Sequence, residues 1–284
     1  MSALIIAGTD GSIGANAAVG WAADDAARTG LPLRIVTAVH RWPNDIPRFA
    51  VLDGEEDAMT RAARKVLAEA EATARTRRPT VEVSTALVEG PPPTVLRDQA
   101  RDAAEIVIGS RGLGGLAGAV IGSVSTHVAG HAHCPVVVVH PGQAPSYGEI
   151  TVGVDDSDAC EPALAYAFEQ ARYRGCTLRV LYAWQLPVHA FAPEIDYDMD
   201  EIRIAQYAVA ADRLASWRQR YPEVGLIEDV RCAHPVEALV EASTGADLLV
   251  VGSHGRGALG SLLLGSVSRG VLHHAHCAVA VVRS

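Results

Sequence analysis

Two glycine–serine frames carry the residues whose types and spacing suit chemistry on an anion. Residues 109–125 read GSRGLGGLAGAVIGSVS, placing Gly109, Gly112 and Gly122 ahead of Ser123, Val124 and Ser125, with Ser110 and Arg111 inside the loop. Residues 252–268 read GSHGRGALGSLLLGSVS and repeat the spacing with Gly252, Gly255 and Gly265 ahead of Ser266, Val267 and Ser268, with Ser253 and His254 inside. Each frame follows a short aliphatic run, AEIVIG or DLLVVG. A strand ending in glycine, a glycine-rich loop and a Gly-Ser step opening a helix suit phosphate. Glycine lets backbone N–H groups turn inward, and a helix N-terminus adds unpaired donors and a favourable dipole.

The elements that must position these frames repeat as well. ALIIAGTD at residues 3–10 is an apolar strand ending at Asp10, and ITVGVDDS places Asp155 at the same point in the second half. NAAVGWAADDAART, residues 16–29, has helical spacing and stops at Gly30; LPLRIVTAVH, residues 31–40, reads as a buried strand. A loop with prolines and charges follows over residues 41–57, then a helix from about Asp57 to Arg77, a strand VEVSTALVEG, and a helix entered through proline. After the glycine frame come a short helix, SVSTHVAGHAH, and a last strand, CPVVVVH. Continuous aliphatic strands alternating with helices indicate a mostly parallel sheet covered on both faces.

The offset from Asp10 to Asp155 and from Ala38 to Ala183 is 145 residues, and from Gly109 to Gly252 it is 143. A whole domain is therefore duplicated, with a two-residue deletion in the second copy before its glycine frame. The expected division is residues 1–141, a linker at 142–148 where turn formers gather, and 149–284.

Both frames resemble the glycine, two residues, glycine, nine residues, glycine-serine frame of ATP-binding members of the universal stress protein family. The resemblance covers essentially the whole chain, as two consecutive domains. It implies an α/β fold of two tandem doubly wound domains, each with a five-stranded parallel sheet of the adenine nucleotide alpha hydrolase-like type. ATP would cross the carboxyl ends of the first and fourth strands, the switch in strand order where open α/β sheets bind ligands. By that resemblance the triphosphate rests on Gly109, Ser110, Arg111 and Gly112 and on Gly122, Ser123 and Val124, with Ser125 a further hydroxyl. Gly8 and Asp10 lie by the nucleotide, the carboxylate near the adenosine or, through Mg or Mn, near phosphate; backbone at Ala38 meets the adenine edge. The second site carries over as Gly153, Asp155, Ala183, Gly252, Ser253, His254, Gly255, Gly265, Ser266, Val267 and Ser268. Arg111 in one copy faces His254 in the other, so the sites are expected to differ in affinity or pH response.

Plainer readings stand beside these. Asp10 and Asp155 would serve as helix N-caps, and the glycine loops as structural turns. The repeated HAHC, at His131–Cys134 and His274–Cys277, lies at a helix-to-strand junction where alternate residues point apart, and no metal site is assigned to it. The acidic run at residues 194–201 reads as the start of a helix, and Arg75, Arg77 and Arg78 as a small basic patch at a helix end.

Several functions are excluded or disfavoured. The only lysine, Lys65, is remote from both glycine loops, so the P-loop reading fails; the dinucleotide fingerprint does not follow the first strand, and no GxSxG elbow occurs. A net charge of −9 disfavours nucleic acid as a partner. No window approaches the ~18 apolar residues of a membrane span, and the N-terminus lacks a leader pattern. Five cysteines without a CxxC pair suit a reducing compartment, so the expectation is a cytoplasmic protein. The aliphatic last strands are edge strands in the resembled fold, which implies a homodimer or a pairing of the two domains. No catalytic residue is assigned. The reading is an ATP-binding stress-response regulator or sensor with one site per domain, little or no hydrolysis, and regulatory protein partners that the sequence does not identify. The alternatives are a slow ATPase or nucleotide hydrolase, a binder of another adenine nucleotide such as cyclic AMP, or a nucleotide-free dimerisation scaffold.

Overall fold

The structure, a computed structural model, describes residues 4–40, 57–113, 121–142, 146–185, 198–255 and 264–283. Most of the expected loop at 41–57, the residues Gly114, Gly115 and Gly118, and the first four residues of the 194–201 acidic run lie outside the described residues. The chain divides into two compact units, Met1–Gln143 and Ala144–Ser284.

In the first unit, β1 (Ile5–Gly8), β2 (Leu33–Val39), β3 (Val83–Glu89), β4 (Glu105–Gly109) and β5 (Val136–Val139) form a parallel sheet in the order β3-β2-β1-β4-β5. Ile5 pairs with Leu33 on one side and with Glu105 on the other, so the chain leaves β1 in one direction and returns beside it from the other. The strands are nearly all aliphatic, and Ile5, Ile6, Leu33, Ile35, Ile106 and Val137 are at most 1% exposed, as a sheet covered on both faces requires. Burial of each such side chain contributes about 1.5–3 kcal/mol.

Four helices connect these strands: α1 (Ile13–Thr29), α2 (Ala58–Arg77), α3 (Pro92–Gln99) and α4 (Ser123–His131). Right-handed crossovers put α1 and α2 on one face and α3 and α4 on the other. α1 begins three residues before the expected start, and Ser12, not Asp10, is its N-cap, accepting from the Ala15 N–H at 3.2 Å; Gly30, at φ 72°, closes it. The alanines along α1, including Ala18, Ala22 and Ala26, are fully buried and let the helix lie close to the sheet. A Cβ on Gly109 would lie 2.5 Å from the carbonyl carbon of Gly14, so the end of β4 meets the first turn of α1 backbone to backbone. α2 begins at its cap Asp57, as expected, and its C-terminal arginines are not a free basic patch. Arg77 and Arg78 bind Asp24 of α1 at 2.7 and 2.8 Å, and Arg75 binds Glu71 at 2.8 Å.

The second unit repeats the plan. β6 (Glu149–Val154), β7 (Thr177–Trp184), β8 (Leu226–Cys232), β9 (Leu248–Gly252) and β10 (Ala278–Val282) are parallel in the order β8-β7-β6-β9-β10. They are connected by α5 (Glu161–Arg174), α6 (Met199–Arg220), α7 (Pro235–Ala242) and α8 (Ser266–His274), with one-turn 3₁₀ helices at Asp158–Cys160 and Ser243–Gly245. Phe168 of α5 stacks on Trp217 and Tyr221 of α6, each with ring centroids 5.2 Å away. Asp198, in the acidic run, caps α6 through the N–H groups of Asp200 and Glu201.

Candidate functional site

The change of direction between β1 and β4 leaves a crevice beyond their carboxyl ends, where ligands bind in open α/β sheets. In the first unit that crevice is a cavity of about 230 Å³. Gly8, Asp10, Ala38, Gly109, Arg111, Gly112, Gly122, Ser123, Val124 and Ser125 all line it. The equivalent crevice of the second unit is about 350 Å³ and is lined by Gly153, Asp155, Ala183, Gly252, His254, Gly255, Gly265, Ser266, Val267 and Ser268. Residues offset by 145 positions before the glycine frames, and by 143 within them, thus occupy matching places in the two units.

Ser110 and Ser253 are the two candidates absent from the linings. They are 1% and 3% exposed and lie beneath the loops, where the Ser110 carbonyl accepts the Gly122 N–H at 2.7 Å and the Ser253 carbonyl the Gly265 N–H at 2.8 Å. Each loop is thereby folded back so that its second arm opens a helix. The hydroxyls of Ser125 and Ser268 strengthen the same turn: Ser125 Oγ donates to the Gly109 carbonyl at 2.7 Å, and Ser268 Oγ lies 3.1 Å from the carbonyls of Ser253 and Gly265. With their protons used there, these serines brace the loop, and the exposed Ser123 and Ser266 carry the hydroxyls free to meet a ligand.

Gly122 and Gly265 are the N-caps of α4 and α8, and neither helix has a side-chain cap. The first-turn N–H groups of both helices therefore stay open at the cavity, a ready anion site. By contrast, α1, α2 and α6 are capped by Ser12, Asp57 and Asp198.

Asp10 and Asp155 do not cap the helices that follow them; each binds backbone at the end of the first strand of its unit. Asp10 Oδ1 accepts the Ser12 N–H at 3.0 Å while Oδ2 accepts the Leu113 N–H at 2.9 Å, which ties the end of β1 to the glycine loop. A Cβ on Gly112 would collide with that carboxylate, and one on Gly255 would lie 2.7 Å from Asp155 Oδ2. The second glycine of each frame is required by this close approach.

Further lining residues complete an apolar wall: Val36, Pro92, Leu96 and Ile108 in the first unit, and Leu181, Pro235, Leu239 and Val251 in the second. A Cβ on Gly8 would come within 3.0 Å of Leu96, and one on Gly153 within 2.9 Å of Leu239, which accounts for glycine at the ends of β1 and β6. The repeated proline–three residues–leucine spacing, Pro92 to Leu96 and Pro235 to Leu239, is the sequence signal that would have found this wall. A flat apolar wall beside backbone donors suits an aromatic heterocycle bearing phosphate.

The units differ at the loop after the first strand. In the first, Gly11 at φ 82° turns the chain above Val66 of α2. In the second, Arg213 of α6 holds the loop, donating to the carbonyls of Asp156 and Ser157 at 3.1 and 3.0 Å and to Glu161 at 3.0 Å. Its guanidinium also lies 3.2 Å from Sγ of Cys160, which lines the cavity where the first unit has Ala15; burial pushes that thiol up. Among the described residues no group of three or more His, Cys, Asp or Glu is placed to hold a metal ion, and no helix is long and apolar enough to cross a membrane.

Two doubly wound α/β units, each with a glycine-loop crevice at its switch point, define a class of tandem α/β proteins. The universal stress protein family model matches residues 1–140 and again 146–283, and the chain belongs to that family. It is 36% identical over 288 residues to Universal stress protein Rv2005c of Mycobacterium tuberculosis, covering 98% of this chain and 96% of the relative. It is also 36% identical over 299 residues to Universal stress protein Rv2623 of the same organism, with the same coverages. A universal stress protein structure from Archaeoglobus fulgidus superposes with a TM-score of 0.69 over 99% of this chain and 98% of that one, at 17% identity, a likeness of fold.

Proposed function

We propose that the protein binds ATP, one molecule in each unit, and acts as a stress-response regulator whose nucleotide occupancy is read by other proteins. The observation that carries this reading is the uncapped N-terminus of α4 and of α8, each facing a cavity whose opposite wall is apolar. Phosphates would take the open N–H groups and the hydroxyls of Ser123 and Ser266. The base would lie along Leu96 or Leu239, with its edge at Ala38 or Ala183. Mg or Mn would accompany the nucleotide through its phosphates.

Turnover is a minor part of this reading. Asp10 already accepts two backbone N–H groups, one of them from the glycine loop, and Asp155 accepts the Ser157 N–H and hydroxyl at 3.0 and 2.6 Å, so both carboxylates are engaged in organising backbone rather than placed as bases. Bound ligand would stabilise the loops and so the folded unit, by about 2.7 kcal/mol at one hundred times its Kd. That difference is what a partner would read. Cytoplasmic residence and self-association as a homodimer belong to the same proposal.

The test is to denature freshly purified protein and identify and count the released nucleotide, beside a Gly112→Ala, Gly255→Ala double variant. ATP released from the wild type and lost in the variant is the expected result. A wild type that carries none and takes up none when ATP is added would overturn the proposal and leave the loops as structural turns.

A further inference from the structure

We infer that His127 is an acid-sensitive wedge between α3 and α4, whose protonation parts these helices and weakens nucleotide binding at the first site. The inference rests on the nucleotide reading above and concerns the regulation of that site. Three placements carry it.

First, α3 and α4 pack on each other and both line the first cavity, α3 with Pro92 and Leu96 and α4 with Ser123, Val124 and Ser125. A change in their contact therefore moves the apolar wall relative to the open helix N-terminus. Second, His127, midway along α4, is half-buried, with its ring stacked on that of His131 one turn further on, centroids 4.2 Å and planes 16° apart. His131 is held in that stack because its Nδ1–H donates to the His127 carbonyl at 2.8 Å. The Nε2 of His127 is buried and has no hydrogen-bond partner among the described residues. An imidazolium carries N–H on both nitrogens, so charging this ring leaves a buried donor without an acceptor. Third, the second unit closes the same contact differently. The position of His127 is Gly270 in α8, where a Cβ would lie 2.9 Å from Val236 of α7, so those helices meet there with no side chain between them. His273 of α8 is also held low by burial, but it lies in the last turn, 6.3 Å from the ring of His274 and tilted 47° to it rather than stacked.

The groups around His127 oppose its charge. Burial first, then the charges of His131 on α4 and Arg97 on α3, hold the ring below its ordinary value of 6.5. Asp98, the one carboxylate on α3, is engaged by Arg97 at 2.7 Å, and β5, which also packs on α4, is four valines. A ring freed by separation of the helices returns to its ordinary value and so binds a proton more readily than the packed ring. The contact is therefore at full strength above about pH 6.5 and is lost as pH falls from there through the lowered value. One proton can weaken the site by at most about tenfold per pH unit.

The experiment uses the full chain with one site closed at a time. Ser123→Asp and Ser266→Asp each place a carboxylate at the first residue of α4 or α8. A helix N-terminus tolerates that charge, whereas a phosphate is repelled by it. ATP affinity is measured calorimetrically between about pH 7.5 and 5.5, and the titration of ATP itself acts on both sites alike. The Ser266→Asp chain, with only the first site open, should lose about tenfold more affinity over that range than the Ser123→Asp chain. Adding His127→Phe, which keeps a ring in the stack and removes the charge, should abolish the excess and leave affinity at the upper pH unchanged. His127→Gln should do the same through a different uncharged side chain. Amide exchange in α3 and α4 of nucleotide-free protein, corrected for the intrinsic rate, should rise on acidification in the wild type and not in either His127 variant. Equal acid loss at both sites, or an excess that persists in both variants, would overturn the inference alone. No ATP binding at any pH would overturn the nucleotide reading, and the exchange comparison would then judge the wedge by itself: an equal acid response in wild type and variants overturns it.

Discussion

Asp10 and Leu113, 103 residues apart in the chain, are joined by a hydrogen bond of 2.9 Å from the Leu113 N–H to Asp10 Oδ2. The end of the first strand is thereby tied to the first arm of the glycine loop. Asp10→Asn keeps one acceptor for Ser12 and loses the charge-assisted bond to the loop. Exchange of the Leu113 amide in nucleotide-free protein should rise about tenfold or more, corresponding to about 1.5–3 kcal/mol for a hydrogen bond to a charged group. Unchanged exchange would show that the loop holds itself.

Gly112→Ala and Gly109→Ala should fail in different ways. The first drives a methyl into the Asp10 carboxylate, so ATP affinity at the first site should fall at least about tenfold while the melting temperature moves little. The second drives a methyl into the backbone of Gly14, where neither element can retreat, and should cost about 1–3 kcal/mol of stability, seen as a lower melting temperature. Calorimetric titration and thermal unfolding on both variants separate the two outcomes.

The glycine frames were legible because the requirement behind them is steric and restricts the residue type. Only glycine permits the approach of Asp10 to Gly112 or of β4 to α1, so the need is written as a residue type at a fixed spacing. The duplication made the whole strand and helix order legible in the same way, since each element appeared twice. What stayed hidden depends on partners distant in sequence. Arg213 looks like any helix-face arginine until α6 brings it to the carbonyls of Asp156 and Ser157. The arginines at the end of α2 looked like a patch because Asp24, their partner, lies some fifty residues away in α1. Ser12 took the cap expected of Asp10 because Asp10 turns back to receive Ser12 and Leu113.

Asp24 gives a pH prediction whose sign can be worked out. Its burial opposes the charged form, but hydrogen bonds from Arg77 and Arg78 outweigh that and hold the carboxyl below its ordinary value of 3.8. A lowered folded value means the pair stabilises fully above about pH 4 and loses its effect as pH falls through that lowered value. Asp24→Asn should therefore destabilise at pH 7, by about 1 kcal/mol given that both guanidinium groups are roughly half exposed. The deficit should shrink as pH falls through that lowered value, in urea titrations of both proteins from pH 7 downward.

The cysteines should separate by burial. Cys134 and Cys277, at the repeated HAHC, are pushed up to about 12 by burial and the carboxylates near them, and Cys232 is exposed. At pH 8 a thiol reagent should modify Cys232 rapidly and reach Cys134 and Cys277 only on unfolding, as peptide mapping would show. Rapid labelling of either buried thiol in folded protein would contradict the packing of β5 and β10.

The central claim, one ATP in each unit, is tested most directly by the stoichiometry of ATP binding to nucleotide-free protein. Calorimetry should find two sites per chain in the wild type, one in Ser123→Asp, one in Ser266→Asp and none in the double variant, with all four chains folded by circular dichroism. Binding that survives both substitutions, or a wild type that binds no ATP, would contradict the account.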